Sequence, residues 1–365
     1  MTFLKKNAPR FALFAASILI SLALLEVAAR LIFPRPTFDT QLPLYPYLHQ
    51  ERQVHLPGVS TSSTFSTNRW GLRGADPPAD WEAALTIIAV GGSTTRDYYL
   101  DDSKTWPAQL EANLRPAYPN SWVGNAGLDG HSTFGHLTLM EEVIAQIKPD
   151  VIVFLVGIND LGISFTPTNV AEYDQKRANP LTQSQLFNTL WTAKQIYWDG
   201  VHVVTDEGGY DRFEPQAIPP DLTLTPLPDD LRELLPSLPA FRQNLQTLIA
   251  QARALDSQML FLTQPARFQD TPEWEGIWGK GFWIEDQSIM ISAATWGAML
   301  EIFNQELLNL CQQEGIPCFD LASAIAPSEE NFYDFVHFTE LGSQRVGQAV
   351  AIAMEEQLLA NEEGD

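Results

Sequence analysis

The chain has only two cysteines in 365 residues, and it contains no internal repeat and no low-complexity tract. Two cysteines are too few for a thiolate metal cluster and too few for a disulfide scaffold. Cys311 and Cys318 can bridge the short loop CQQEGIPC in an oxidising compartment, or stand as two independent buried thiols. Positive charge is also scarce, with 22 Lys and Arg against 45 Asp and Glu and a formal net charge of -23. The first 33 residues carry +3, which leaves -26 for the remainder. Such a surface repels nucleic acid and anionic headgroups, so no nucleic-acid partner is expected. Three well-known active-site signatures are missing from the stretch IIAVGGSTTRDYY, residues 87–99. Its GGSTTR has no lysine followed by Ser or Thr, as a P-loop needs, and no G-x-G-x-x-G of a dinucleotide site. Thr95 stands where the G-x-S-x-G elbow needs its second glycine.

What the chain does have is organised. Lys5, Lys6 and Arg10 precede FALFAASILISLALLEVAARLIF, an apolar run from Phe11 to Phe33 broken only by Glu26 and Arg30. As a helix it would reach about 34 Å, enough to cross a hydrocarbon core. Glu26 and Arg30, four apart, can pair on one face. The basic flank favours an N-terminus in the cytoplasm and the bulk of the chain outside. The competing reading is a signal peptide cleaved after Ala29, where VAA resembles a cleavage site. The anchor is preferred because RLIF prolongs the apolar run. Either reading makes the rest extracytoplasmic, periplasmic or extracellular.

Residues 34–83, rich in proline and serine, read as a stalk and lead-in segment. From Leu85 a regular alternation begins. The short apolar runs LTIIAV, SWVGNAG, VIVFLVG, MLFLT and IPCFDL read as buried parallel strands, separated by stretches of helical period. This predicts an α/β fold, a doubly wound and mainly five-stranded parallel sheet flanked by helices, over residues 84–360. Two irregular stretches interrupt it, an insertion at about 162–240 and a loop at about 265–290, and 361–365 form an acidic tail. Long connections of this kind serve as covers or binding loops, or pack as ordinary surface excursions.

Ligands of open parallel sheets sit beyond the carboxyl ends of the strands. There the sequence puts Ser93 after the first strand, NAGLDG with Gly130 after the second, and GIND with Asn159 and Asp160 after the third. A nucleophilic serine needs a base, and the base needs an orienting acid. YDFVHFTELG supplies His337 and Asp334, with Thr339 placed to cap the last helix. The backbone N–H groups of Ser93 and Gly130 and the amide of Asn159 are candidate oxyanion donors. Asp160 reads as orienting its loop. His131 and His136 lie near the expected mouth as candidate substrate contacts, and two histidines alone do not make a metal site. Trp274, Trp278, Phe282 and Trp283 can stack on a substrate or pack a cover loop.

In order and position, Ser93 in GGST, Gly130 in NAGLDG, Asn159 in GIND, and Asp334 and His337 in DFVH resemble the four blocks of the SGNH, or GDSL, hydrolase superfamily. The resemblance runs from about Leu85 to the last helix. TNRWGLRG and DDSKTWPAQL are further similar to membrane-anchored bacterial members. It implies a flavodoxin-like SGNH fold, with Ser93 as nucleophile, His337 as general base, Asp334 as orienting acid, and Ser93, Gly130 and Asn159 as the oxyanion hole. No cofactor is called for. Gly92 departs from the signature, which often has Asp there, and this leaves the shape of the turn open. The expected function is a serine esterase cleaving small-molecule or polysaccharide acyl esters, O-acetyl groups included, with a membrane partner through residues 11–33. The alternatives are an O-acyltransferase using the same triad, and a non-catalytic envelope binding or assembly protein.

Overall fold

The computed structural model describes residues 2–32, 42, 44–165, 184, 186, 190, 227–268, 282–284, 287–289 and 292–359. Five parallel strands form the central sheet: β3 (Thr86–Gly91), β4 (Trp122–Gly127), β5 (Val151–Leu155), β6 (Gln258–Leu262) and β9 (Cys318–Phe319), in the order β4-β3-β5-β6-β9. The expected five-stranded α/β sheet is therefore present. Its strands alternate strictly between two cores. Ile88 and Val90 of β3, Ile152 and Phe154 of β5 and Phe261 of β6 face one core, while Ile87, Ala89, Val153 and Leu262 face the other. Burial on both faces explains why these strands read as continuous apolar runs.

Helices cover both faces. On the first lie α4 (Thr133–Leu139), α7 (Leu238–Ala254) and α8 (Ala293–Glu314). In α7 the buried Leu238, Phe241, Leu245, Leu248 and Ala252 recur at three- and four-residue spacing, one stripe of a helix. On the second face pack α3 (Trp106–Leu114), the short α9 (Leu321–Ala324) and α10 (Glu340–Met354). Gly347 lets α10 meet α3 closely, because a Cβ there would lie 2.7 Å from the Leu110 nitrogen. Thr105 caps α3, and Thr339 caps α10 by accepting from the Gly342 N–H at 3.0 Å. The segment after α4 continues through a π-turn, Met140–Ile144, into α5 (Ala145–Ile147).

Cys311 and Cys318 are joined as a disulfide, which ties the end of α8 to β9. The N-terminal stretch is a helix, α1 (Thr2–Ile32), with Arg30 Nε 2.7 Å from Glu26. Among the described residues no helix is long and apolar enough to cross a membrane.

Of the segment 34–83, expected as a stalk and entry segment, the described part, Leu42 and residues 44–83, is packed on the domain rather than extended as a stalk. Leu42, Leu44 and Leu72 are buried in the first core, and β1 (His49–Gln53) pairs antiparallel with β2 (Ser62–Ser66). Polar residues dominate this segment because they bond backbone: Asn68 Oδ1 accepts from Trp70 N at 3.0 Å and from Leu72 N at 3.2 Å. A few leucines then suffice to seat it. Most of the insertion expected at 162–240, the larger part of the loop at 265–290, and the acidic tail lie outside the described residues. Within that loop one small hairpin is described, β7 (Phe282–Ile284) with β8 (Gln287–Ile289).

Candidate active site

Parallel register lines up the carboxyl ends of β3, β4 and β5, pairing Gly91 with Gly127 and with Leu155. The three expected loops therefore leave the sheet side by side. Immediately after β3 the chain turns through Gly91 and Gly92 into a single helical turn, α2 (Ser93–Arg96). Gly91 is required by space, since a Cβ would lie 2.1 Å from Thr95 Oγ1. Ser93 thus begins α2 at the mouth of the crevice.

Residues 331–339 bring up its partners. Phe332 bridges Phe338, both buried in the second core, and Thr339 N donates to Asn331 O at 3.0 Å. This closed loop presents His337 to Ser93, with Asp334 buried behind it. His337 Nε2 lies 2.8 Å from Ser93 Oγ, and His337 Nδ1 lies 2.6 Å from Asp334 Oδ2. Asp334 Oδ1 accepts from the Val336 and His337 N–H groups at 2.8 and 2.7 Å. With Nδ1–H given to Asp334, the neutral ring has Nε2 free to accept the serine proton. Tyr333 stacks on the imidazole, 5.7 Å between centroids and 8° between planes.

The electrostatics suit that arrangement. For His337, burial disfavours the imidazolium, but the carboxylate and hydrogen bond of Asp334, with the charges of Asp97 and Asp129, outweigh it and raise the ring above its ordinary 6.5. Burial likewise works against the Asp334 carboxylate, yet His337 and the two backbone donors hold it below 3.8.

Asn159 stands on α6 (Ile158–Ile163), which starts from Gly157 at a φ of 124°. Its Nδ2 donates to His131 O at 2.8 Å, and the amide's second N–H is available to a ligand. The same amide lies directly over Gly92, where a Cβ would come within 2.2 Å of Nδ2. With glycine at 92 the Asn159 amide sits close over the Ser93 turn, and a Cβ added there would have to displace it. Gly92→Ala is expected to push the amide aside and to lower turnover about a hundredfold to a thousandfold, as loss of one oxyanion donor does. A kcat measured beside an unchanged melting curve checks this. Gly130 stands in the neighbouring turn with a φ of 73°, in open space, so conformation rather than room asks for glycine there.

Other expected site residues divide. Asp160 is buried and accepts from Thr133 N at 3.1 Å and from Thr133 Oγ1, which fastens α6 to α4. Burial pushes its carboxyl up to about 7. The His131 ring lies against Gly135, whose Cβ position is 2.5 Å from His131 Nδ1. His136 is buried beside the Gly91 backbone, so its ring is closed to a substrate, and burial drives that ring down to about 3. Trp274 and Trp278 lie outside the described residues; Trp283 and Phe282 fall on β7, where only the backbone is described.

Two features have no signal in the sequence. Asp97, four residues after Ser93, donates its N–H to Ser93 O at 2.9 Å, and its buried carboxylate accepts from Trp106 N at 3.1 Å and Ser343 Oγ at 3.2 Å. Burial raises that carboxyl to about 7. Arg96, at the end of α2, pairs with Asp129 at 3.0 Å and so joins the Ser93 turn to the Gly130 turn. Both depend on partners brought together only by the fold.

These pieces make a Ser-His-Asp protein on an open parallel α/β sheet, with its polar groups at the carboxyl ends of the strands. The chain belongs to the GDSL-like lipase/acylhydrolase family, whose model matches residues 89–345. Esterase TesA of Pseudomonas aeruginosa is 33% identical over 78 residues, 21% of this chain. The match spans 39% of that relative's own length. Among solved structures, the acetylxylan esterase Axe2 of Geobacillus stearothermophilus is similar with 13% identity and a TM-score of 0.42, over 74% of this chain and 94% of that one. TesA is similar with 16% identity and a TM-score of 0.43, over 74% and 98%.

Proposed function

We propose that the protein is a serine ester hydrolase that cleaves acyl esters, O-acetyl groups on envelope polysaccharide among them, through an acyl-enzyme on Ser93. The observation that carries the proposal is the continuous contact from Ser93 Oγ to His337 Nε2, 2.8 Å, and from His337 Nδ1 to Asp334, 2.6 Å. Ser93 Oγ attacks the ester carbonyl while its proton passes to His337 Nε2. The C–O bond to the alcohol breaks as that proton is handed to the leaving oxygen, which leaves Ser93 acylated. Water then gives a proton to Nε2 and attacks the acyl carbon. Collapse returns the proton to Ser93 Oγ and releases the carboxylic acid. Asp334 keeps the ring in its tautomer and stabilises the imidazolium, and the Asn159 amide with the Ser93 and Gly130 N–H groups receives the oxyanion.

The test uses the full chain in detergent micelles with aryl acetate and butyrate, and a fluorophosphonate probe. Release of phenol and labelling of Ser93 are the expected result; a folded protein with neither overturns the reading. Oligosaccharide acceptors added to the same assay distinguish water from a sugar hydroxyl as the acyl acceptor. Acylated sugar in place of free acid would make the protein a transferase.

Location belongs to the same proposal: no described helix meets the length and apolarity of a span, but the full apolar run of residues 11–33 in the sequence is taken as a membrane anchor, with the sheet domain outside the cytoplasm. Support comes from the basic flank, from apolar side chains exposed on α1 such as Leu13, Phe14 and Leu31, and from the disulfide, which suits an oxidising compartment. The full-length chain is expected to stay with membranes through an alkaline carbonate wash. Release at full length removes the anchor, and recovery of a chain starting after Ala29 identifies a cleaved leader.

A further inference from the structure

α2 is one turn long, and a single turn has almost no helical stability of its own. Its end must be held by something else. The last carbonyls of this turn point at Arg73, which stands in the polar segment ahead of the sheet. Arg73 Nη1 donates to Arg96 O at 2.6 Å and to Asp97 O. Nη2 donates to Leu100 O and reaches Thr64 O at 3.4 Å, and Nε pairs with Asp102 Oδ1 at 2.8 Å. Every N–H of the guanidinium is used, on a side chain that is 2% exposed.

The donor is itself fixed at both ends. Arg73 N donates to Asn125 O of β4 at 2.9 Å, so its backbone is stitched to the edge of the sheet. Asp102 is held in turn by Ser66 N at 2.8 Å and by Ser66 Oγ. Burying a charge this completely is costly unless it is paired and hydrogen-bonded. Here the bonds go to the backbone that carries Ser93, since Asp97, one of the carbonyls held, is the residue whose N–H closes α2 on Ser93 O.

We propose that Arg73 is a positioning residue for Ser93: its guanidinium grips the carbonyl end of α2 and keeps the serine hydroxyl in register with His337. This rests on the reading of Ser93 as nucleophile. It also gives the segment 42–83 a part in the reaction rather than in tethering alone. The planar fork matters, because one guanidinium reaches the carbonyls of 96, 97 and 100 together, whereas a lysine ammonium presents a single point.

Arg73→Lys and Arg73→Ala test it, beside Arg242→Lys, which disturbs the Arg242–Glu306 pair between α7 and α8. Displacement of a reacting group by about 1 Å costs on the order of a hundredfold. Arg73→Lys is expected to lose about tenfold to a hundredfold in kcat and in the rate of fluorophosphonate labelling, with KM for aryl acetate nearly unchanged. Millimolar guanidinium ion is expected to restore part of the rate to Arg73→Ala. Arg242→Lys is expected to lower the melting temperature without this loss. The proposal is overturned if the folded Arg73 variants label at the wild-type rate, or if their loss only tracks the unfolded fraction, as it also would if no variant folds. Absence of labelling in the wild type is a different failure, that of Ser93 as nucleophile.

Discussion

Ser93→Ala is expected to lower kcat for an aryl acetate by about a millionfold, the loss found when a nucleophile is removed from a working triad. The substitution deletes one oxygen whose partner is the partly buried His337 Nε2 at 2.8 Å, so the fold should be kept. KM should change little, since Ser93 Oγ contributes bonding in the transition state rather than grip on the substrate. Residual turnover of about a thousandfold to ten-thousandfold over water is expected from the remaining oxyanion donors and binding. Stopped assays with purified enzyme, with the melting temperature as control, measure both. A variant with a tenth of the wild-type rate would mean that the ester is attacked by something other than Ser93.

Asp334→Asn is expected to lower kcat about ten-thousandfold, because an amide in that place favours the wrong imidazole tautomer. It carries a second signature of opposite sign. Turnover needs His337 neutral, and the surrounding carboxylates raise this ring, so wild-type activity should fall as pH drops through a limb above 6.5. Removing the Asp334 charge removes the largest raising influence and leaves burial, which lowers the ring. The limb should therefore move to lower pH while the plateau collapses. Burial raises the Asp97 carboxyl, which interacts with His337, to about 7, so the limb is a property of the coupled cluster rather than of His337 alone. A pH profile of kcat/KM for the two proteins checks the direction, and a limb that stays put or moves upward would detach Asp334 from His337.

The same shifts act on stability. Asp334, held below 3.8 in the fold, contributes above that value and loses its contribution as pH falls through its lowered value. His337, held above 6.5, contributes below 6.5 and loses its contribution as pH rises through its raised value.

The sheet was legible because each strand is buried on both faces and each helix on one, and both leave a period in the chain. LTIIAV became Thr86–Gly91 and VIVFLVG became Val151–Leu155, within a residue or two. The weak case was IPCFDL, which forms only a two-residue strand at the sheet edge. Residues 44–83 carry no such period, because their order comes from side-chain bonds to backbone. The closeness of the Asn159 amide to Gly92 has no period either, because Asn159 reaches it from 67 residues further along the chain.

By itself, the sequence determined the strand and helix pattern, the blocks holding Ser93, Gly130, Asn159, Asp334 and His337, and the apolar N-terminal stretch. These are local, carried by spacing along the chain. Only the tertiary structure decided that His337 Nε2 meets Ser93 Oγ, that His136 is sealed in the core, and that Arg73 grips the turn beneath the serine. The reason is physical. Hydrophobic period reports which face of an element is buried, whereas hydrogen bonds and buried charges depend on partners that lie tens or hundreds of residues away until the chain has folded.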